Sequence, residues 1–125
     1  MNLYEFEGKQ FFEKQGIAIP KGVNITRDMD AFVAYNSLGV VDVVVKAQVL
    51  SGKRGKNNGI RFCASSEEVV QAVTDLFSIE ILDQYVASVR IEKKLHIAEE
   101  QYMSITYDTN KKQPVLVYSK EGGVD

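Results

Sequence analysis

The segment from Val43 to Leu50 predicts a buried β-strand that nevertheless carries a lysine. Its opening residues, Val43, Val44 and Val45, are β-branched, and such a run is typical of a strand that is covered on both faces. Lys46 follows directly, and an ammonium group is costly to bury unless an opposite charge lies beside it. The pattern favours a lysine that faces an anionic group, and the alternative is a surface lysine on an edge strand.

The loop after this strand, residues 51–58, combines two glycines with three basic side chains. Glycines allow the backbone N–H groups of a loop to approach a ligand closely, and the cations add a positive field. Phosphate is the anion that such a loop fits best, whereas a solvated hairpin tip is the plainer alternative. The loop is not a Walker A motif, because the Gly-x-x-x-x-Gly-Lys-Ser/Thr order is absent and a strand is predicted to follow. The residues concerned are Gly52, Lys53, Arg54, Gly55 and Lys56.

Composition limits the classes of protein that the chain can represent. Its 125 residues suffice for one domain or two small lobes, and 45% apolar and 26% charged residues are typical of globular proteins. The net charge of −2 argues against a dedicated nucleic-acid binder. Cys63 is the single cysteine, so we expect it in the core rather than in an internal disulfide. We expect a cytoplasmic protein without membrane association, because the sequence shows neither a signal peptide nor an apolar run of about 20 residues.

Alternating short elements predict an α+β fold. Helices are expected at residues 3–15, at residues 27–38 and after Ser65. In the second helix, the buried stripe is predicted to consist of Met29, Phe32 and Val33. The predicted helix caps are Asn2 with Glu5, Thr26, and Ser65 with Glu68.

Strands are expected between and after these helices. Asn58 and Gly59 form a hairpin signal, so the strand at residues 43–50 should pair antiparallel with the next one, at residues 59–64. The remaining strands are predicted at residues 23–25, 79–82, 86–92, 97–107 and 114–119.

Two carboxylates bracket a connector between predicted strands. Glu92 precedes this connector and Glu100 follows it. A connector of this kind can line a crevice between two lobes, where a carboxylate is suited to bind a ribose hydroxyl. The backbone of residues 93–95 is suited to the edge of an adenine ring. The alternative is that both glutamates are solvated surface residues.

Several motifs distributed over the chain resemble those of a known family. The most specific is Lys46-Ala-Gln-Val-Leu-Ser-Gly-Lys-Arg-Gly-Lys56, and the others are Met1–Phe6 with Lys9-Gln10, Gly16–Gly22 and Glu121–Val124. In these stretches the chain is similar to the N-terminal half of the ATP-grasp nucleotide-binding domain. More narrowly, it resembles the β subunits of succinyl-CoA synthetases, which are ADP-forming succinate–CoA ligases. Related acid–CoA ligases and ATP-citrate lyase share parts of the pattern.

The resemblance implies a two-lobed fold that this chain supplies in part. Residues 20–100 would form the small nucleotide-binding lobe, whereas residues 1–19 and 101–125 would belong to an incomplete second lobe. The helix and the hairpin of that second lobe would then expose apolar surface and favour self-association. The apolar residues concerned are Phe6, Phe11, Phe12, Met103, Ile105 and Tyr107.

On the phosphate side, the resemblance implies that Lys46 contacts the phosphates of ATP. Lys53, Arg54 and Gly55 would form a flexible loop over these phosphates. The family loop usually reads Gly-Gly-Arg-Gly, so Lys53 stands where the second glycine is expected.

On the nucleoside side, the resemblance implies that Glu92 and the backbone near Leu95 lie at the adenine hinge. Glu100 would lie at the ribose, and Pro20 favours ATP over GTP. The segment between the third helix and Glu92 is shorter than is usual in the family.

For the complete enzyme, the resemblance implies the conversion of succinate, CoA and ATP to succinyl-CoA, ADP and phosphate. A partner α subunit, in a heterodimer or heterotetramer, would carry CoA and the phosphorylated histidine, so His96 is not that histidine. The Mg²⁺ ligands would lie beyond residue 125, and this stretch alone is expected to be inactive. The alternatives are a non-catalytic binding or assembly module, and a nucleic-acid contact made by the basic loop.

Overall fold

The computed structural model describes residues 2–123. Three residues lie outside the described part, namely Met1, Val124 and Asp125. Met1 and Val124 are the ends of two motifs in the resemblance, and all three belong to the predicted second lobe. The chain divides into a first unit, Met1–Leu95, and a second unit, His96–Asp125. The α+β prediction is confirmed by the elements, which are α1 (Glu5–Lys14), β1 (Gly22–Ile25), α2 (Ala31–Leu38), β2 (Val43–Gln48), β3 (Ile60–Cys63), α3 (Ser66–Ser78), β4 (Glu80–Ile81), β5 (Gln84–Tyr85), β6 (Ser88–Lys93), β7 (Tyr102–Asp108) and β8 (Gln113–Ser119).

The first unit is built on a four-stranded antiparallel sheet with the order β1-β6-β2-β3. The predicted pairing of β2 with β3 is confirmed. Strand β2 lies between two neighbours, so the interpretation of Lys46 as an edge-strand lysine is wrong. Lys46 pairs with Arg90 on one side and with Ile60 on the other.

Alternation along the strands gives this sheet two different faces. One face is apolar and is covered by α2 and α3, which form the core with residues such as Ile25, Val45 and Ile91. The other face, which we call the polar face, carries side chains that pair across the strands in register. Its polar members and the glycine among them are Gly22, Asn24, Lys46, Gln48, Ser88, Arg90 and Glu92.

Helix α3 agrees with its sequence pattern. The Ser65 hydroxyl accepts a hydrogen bond from the Glu68 N–H at 3.2 Å, which caps the helix as predicted. The buried residues Val69, Val73 and Leu76 follow at helical spacing. Cys63, on the neighbouring strand, is buried in the core as expected.

Helix α2 differs from its prediction in both its start and its buried face. It begins at Ala31 rather than Arg27, because the Asp30 carboxylate accepts hydrogen bonds from Phe32 N–H and Val33 N–H. The buried residues, Ala34, Tyr35 and Leu38, lie three, four and seven positions after the first helical residue. The predicted stripe is therefore wrong, and Met29, Phe32 and Val33 are exposed.

Helix α1 begins at Glu5, and the predicted Asn2–Glu5 cap is wrong. The Glu7 carboxylate instead accepts a hydrogen bond from Tyr4 N–H at 2.8 Å. Glu5 therefore does not serve as the capping carboxylate. Phe11 and Phe12 are exposed, as expected for a helix without its full packing partner, whereas Phe6 is half-buried.

The second unit contains the β7–β8 hairpin. Strand β7 begins at Tyr102 rather than at Ile97, and its apolar residues Met103, Ile105 and Tyr107 are exposed as expected. The assignment of residues 1–19 and 101–125 to one incomplete lobe, with 20–100 as the other, stays a prediction.

Candidate functional site

The side chain of Lys46 leaves β2 on the polar face and is 19% exposed. Its ammonium group contacts the carboxylate of Glu92 and lies 3.3 Å from the Glu5 Oε1 atom. The contact with Glu92 follows from the register, because Lys46 pairs with Arg90 and Glu92 is the next residue of β6 on the same face. Lys46 thus meets the anionic environment that its sequence context predicts, and both carboxylates belong to the chain itself.

Glu92 is the most deeply buried charge of this site, with 3% of its side chain exposed. Its carboxylate accepts hydrogen bonds from Lys9 Nζ at 2.7 Å and from Arg90 Nε at 2.7 Å, in addition to the contact with Lys46. Burial alone would raise the pKa of Glu92, but the hydrogen bonds from Lys46, Lys9 and Arg90 hold this pKa below its usual value. Glu92 is therefore an ionised anchor for three cations.

Arg54 brings the basic loop back onto the polar face. Its Nη1 atom donates a hydrogen bond to the Ala47 carbonyl oxygen at 3.0 Å, and its Nη2 atom contacts the Glu5 carboxylate. The Arg54 carbonyl oxygen also accepts a hydrogen bond from Gly59 N–H at 2.7 Å. A Cβ atom at Gly59 would lie 3.0 Å from the Arg54 carbonyl oxygen, which is a tight contact with backbone, so this hydrogen-bonded position favours a glycine.

Glu5 reaches the same site from α1. Its carboxylate lies 2.8 Å from Lys9 Nζ and also contacts Lys46 and Arg54. Burial would raise the pKa of Glu5, but the hydrogen bond from Lys9 and the charges of Lys46 and Arg54 lower this pKa to about 2. Burial likewise would lower the pKa of Lys46, and Glu92 and Glu5 raise it instead. These groups are therefore charged at neutral pH.

These contacts define a charge cluster with more positive than negative members. Four cations and two carboxylates give it a net charge of +2. Such an excess on a partly accessible face favours the binding of an anion. The members are Glu5, Lys9, Lys46, Arg54, Arg90 and Glu92.

The structure brings together three of the residues singled out from the sequence, namely Lys46, Arg54 and Glu92. Lys53 and Gly55 are exposed in the loop, and Lys53 adopts the left-handed conformation with a φ of 60°. A residue with a Cβ atom is strained at this angle, so the lysine at the place of the family's second glycine carries a backbone cost.

The remaining predicted residues lie elsewhere. Leu95 is exposed at the end of the first unit. Glu100 belongs to the second unit, where a Cβ atom at Gly122 would lie 3.0 Å from the Glu100 Cβ atom. Their roles at the adenine and the ribose stay predictions.

Sequence reasoning missed Glu5, Lys9 and Arg90. Arg90 and Glu92 alternate with the apolar Val89 and Ile91, and this spacing alone indicates two charges on one face of a strand. Glu5 and Lys9 lie four residues apart on one helix and form an ion pair, which a search for such pairs would have found.

A groove of about 540 Å³ lies beside the charge cluster, along β1. Arg90 is part of its wall, together with Pro20, Gly22 and Phe6. Arg90 Nη2 also donates a hydrogen bond to the Pro20 carbonyl oxygen at 3.0 Å. The cluster and the groove therefore share one arginine.

Comparisons with known proteins identify the family. The sequence profile of the ATP-grasp domain matches residues 2–125. The chain belongs to the ATP-grasp domain family. This membership confirms the resemblance that the motifs indicated, and the mixed helices and antiparallel sheets are consistent with an ATP-grasp domain.

Three curated relatives of this ATP-grasp chain carry the same name, succinate–CoA ligase [ADP-forming] subunit beta. The protein from Methanocaldococcus jannaschii is 40% identical over 126 residues, and that from Methanothermobacter thermautotrophicus is 42% identical over 125 residues. The protein from Bacteroides thetaiotaomicron is 32% identical over 125 residues. Each comparison covers 100% of this chain, which spans about a third of the length of these relatives.

The described residues contain neither a group of typical metal ligands nor a helix that could span a membrane. Among residues 2–123, no three His, Cys, Asp or Glu side chains are grouped as metal ligands would be. In the same part of the ATP-grasp chain, none of the helices has the length and apolar character that crossing a bilayer requires.

Proposed function

We propose that the charge cluster binds the phosphate groups of ATP, and that this chain supplies that part of the site in the β subunit of an ADP-forming acid–CoA ligase. The observation that carries the proposal is the net charge of +2 around Lys46 on the polar face. Membership of the ATP-grasp domain family supports a nucleotide as the source of the phosphate.

Lys46 and Arg54 are the residues proposed to contact the phosphates. They are 19% and 20% exposed, which leaves each of them reachable from solvent. Lys53 and Gly55 lie in the exposed loop beside Arg54 and are proposed to close over the bound phosphates. These residues are proposed to neutralise the charge of the phosphates and to position them, which is the main contribution of proteins to phosphoryl transfer.

Glu92 is proposed to lie at the adenine hinge. Its carboxylate is also proposed to hold the side chain of Lys46 in a fixed direction. Its buried carboxylate is already engaged by three cations, so the adenine edge is left to the backbone near Leu95. Glu100 is proposed to hold the ribose. Pro20 lies in the wall of the groove beside Arg90, and in this proposal it favours ATP over GTP.

The activity of the whole protein is proposed from its relatives. They are named ADP-forming succinate–CoA ligases, so the proposed reaction joins succinate and CoA at the expense of ATP. Their designation as subunit beta supports an α subunit as the partner. Mg²⁺ would neutralise phosphate charge, and its ligands are proposed to lie in the part of the relatives that this chain does not cover.

A non-catalytic assembly module is the second candidate, and the exposed apolar side chains favour it. Phe11 and Phe12 on α1 and Met103 and Ile105 on β7 expose surfaces that suit another protein or a second copy. Such a module would associate without binding nucleotide, whereas the first proposal requires nucleotide binding.

Calorimetric titration of the chain with ATP, ADP and AMP tests the first proposal. Lys46→Met removes the ammonium group and keeps much of the side-chain volume, so ATP affinity should fall about tenfold or more. Lys111→Met, at an exposed lysine of the second unit, is the matched control and should leave affinity unchanged. Affinity should also decrease from ATP to AMP, because the contact is with the phosphates.

Two results would overturn this proposal. Equal ATP affinity in Lys46→Met and in the unaltered chain would remove the phosphate role of Lys46. Binding of an oligonucleotide that disappears at moderate salt, with no binding of ATP, would instead support the nucleic-acid alternative for the basic loop.

A further inference from the structure

We propose that Glu5 occupies the place of a phosphate group in the nucleotide-free chain and that nucleotide binding displaces it. The inference rests on the proposed function, because it takes Lys46 and Arg54 as phosphate ligands. The Glu5 carboxylate contacts both of these cations and also lies 2.8 Å from Lys9 Nζ. A carboxylate held by three cations imitates the ionic contacts of a phosphate.

Of the two carboxylates in the cluster, Glu5 is the one that can leave. Glu92 is 3% exposed and extends from an inner strand of the sheet, whereas Glu5 is 23% exposed and extends from a helix. A ligand that approaches from solvent therefore meets Glu5 first. Glu92 stays in place and keeps Lys46 directed towards the incoming anion.

Helix α1 is loosely held, which allows this exchange. It contains no buried residue, in contrast to α2 and α3, and its start is tied to β2 by a hydrogen bond from Phe6 N–H to Gln48 Oε1 at 3.1 Å. Lys9 provides a second tie through its contacts with Glu92, at 2.7 and 3.0 Å. Glu5 can thus turn away while Lys9 keeps the helix at the sheet.

The exchange would change the charge that the ligand meets. With Glu5 present, the cluster has four positive and two negative charges. When Glu5 leaves, one negative charge is removed and the net charge rises from +2 to +3. The departure also frees Lys9 from one of its two carboxylate partners, so a third cation becomes available to the ligand. Glu5 therefore acts as an internal competitor that lowers the affinity for phosphate groups.

The decisive experiment compares binding of inorganic pyrophosphate and ATP by the unaltered chain and by Glu5→Gln. The glutamine keeps the size of the side chain and removes its charge, so both ligands should bind about tenfold more tightly to Glu5→Gln. Glu67→Gln is the control, because it removes the same charge from an exposed position on α3, outside the cluster. It should bind both ligands as the unaltered chain does.

Hydrogen exchange along α1 provides a second readout that needs only the unaltered chain. Saturating ATP should increase exchange of the amides of residues 6–8, because the first turn of the helix loses the Glu5 contacts while Lys9 keeps the later part at the sheet. Equal or slower exchange in this segment with ATP would overturn the displacement. This measurement keeps the inference testable if Glu5→Gln does not fold.

The outcomes separate this inference from the function on which it rests. If the unaltered chain binds ATP through Lys46 but Glu5→Gln binds it equally or more weakly, Glu5 is not a competitor and the proposed function stands. If neither the unaltered chain nor Glu5→Gln binds ATP or pyrophosphate, both proposals are wrong. Tighter binding by Glu5→Gln alone, with Glu67→Gln unchanged, supports both.

Discussion

Lys46 and Glu92 lie on adjacent strands, and their charged groups are in direct contact on the polar face of the sheet. A buried ion pair contributes little net stability compared with apolar packing. When one partner is removed, however, the other charge stays buried without a partner, and this lowers the free energy of unfolding by several kcal/mol. The pair is therefore better suited to fixing the position of Lys46 than to stabilising the fold.

Removal of the Glu92 charge should destabilise the chain. In Glu92→Gln, Lys9, Lys46 and Arg90 lose their common carboxylate, and the free energy of unfolding should fall by about 3 kcal/mol. Urea denaturation measures this loss. Phosphate buffer should restore part of the stability, since the added anion binds the unpaired cations. A loss no larger than that of the surface variant Glu67→Gln would contradict the anchoring role of Glu92.

Acid should lower the free energy of unfolding of the chain, and Glu5 helps to set the pH range in which this happens. The folded-state pKa of Glu5 is about 2 and its ordinary value is 4.5, so the unfolded chain binds more protons at this group as the pH falls below 4.5. The stabilisation by ionised Glu5 is thus complete above pH 4.5 and is lost as the pH approaches 2. It amounts to about 3 kcal/mol at most.

Denaturation curves between pH 2 and 6 check this contribution. The free energy of unfolding should depend less steeply on pH in Glu5→Gln than in the unaltered chain. Parallel pH profiles would show that Glu5 is not held by the cations of the cluster.

The left-handed backbone of Lys53 predicts a stabilising substitution. At a φ of 60°, a residue with a Cβ atom is strained by about 1 kcal/mol or more relative to glycine. Lys53→Gly should therefore be more stable than Lys53→Ala, which also lacks the ammonium group but keeps the Cβ atom. The difference in free energy of unfolding should be about 1 kcal/mol. Equal stability of the two variants would mean that the loop relaxes to another conformation.

Gly22 should be intolerant of any side chain. A Cβ atom there would lie 2.8 Å from Arg90 Nη2, from Glu92 Cβ and from the Ile91 carbonyl oxygen. Because a backbone oxygen in a sheet cannot move away easily, Gly22→Ala should destabilise the chain by about 2 kcal/mol and disturb the cluster. Gly8→Ala is the control, since nothing lies within 4 Å of the corresponding Cβ position in α1. It should be neutral or stabilising, and equal effects of both variants would contradict the close approach.

Local patterns allowed much of the fold to be predicted from the sequence. The cap at Ser65 and the apolar spacing of α3 depend on residues close in the chain, and so does the paired geometry of β2 and β3. The buried face of α2 could not be predicted in this way. Phe32 and Val33 are as apolar as the buried Ala34, Tyr35 and Leu38, so the sequence pattern does not indicate which side of the helix packs on the sheet.

The sequence predicted only part of the candidate site, because the rest depends on contacts between distant residues. Burial and charge indicated that Lys46 has an anionic partner, but they could not say which residue it is. Glu92 becomes its neighbour through the register of β2 and β6, and Glu5 through the placement of α1 on the polar face. These are contacts between residues more than 40 positions apart, and no local pattern specifies them.

The contact between Lys46 and the phosphates of ATP can be observed directly by nuclear magnetic resonance of the lysine side chains. The signal of the Lys46 ammonium-bearing carbon, assigned by its loss in Lys46→Arg, should shift as ATP is added and should saturate with the calorimetric Kd. The Lys111 signal should stay unchanged. A Lys46 signal that does not move at saturating ATP would contradict the assignment of the charge cluster to nucleotide phosphates.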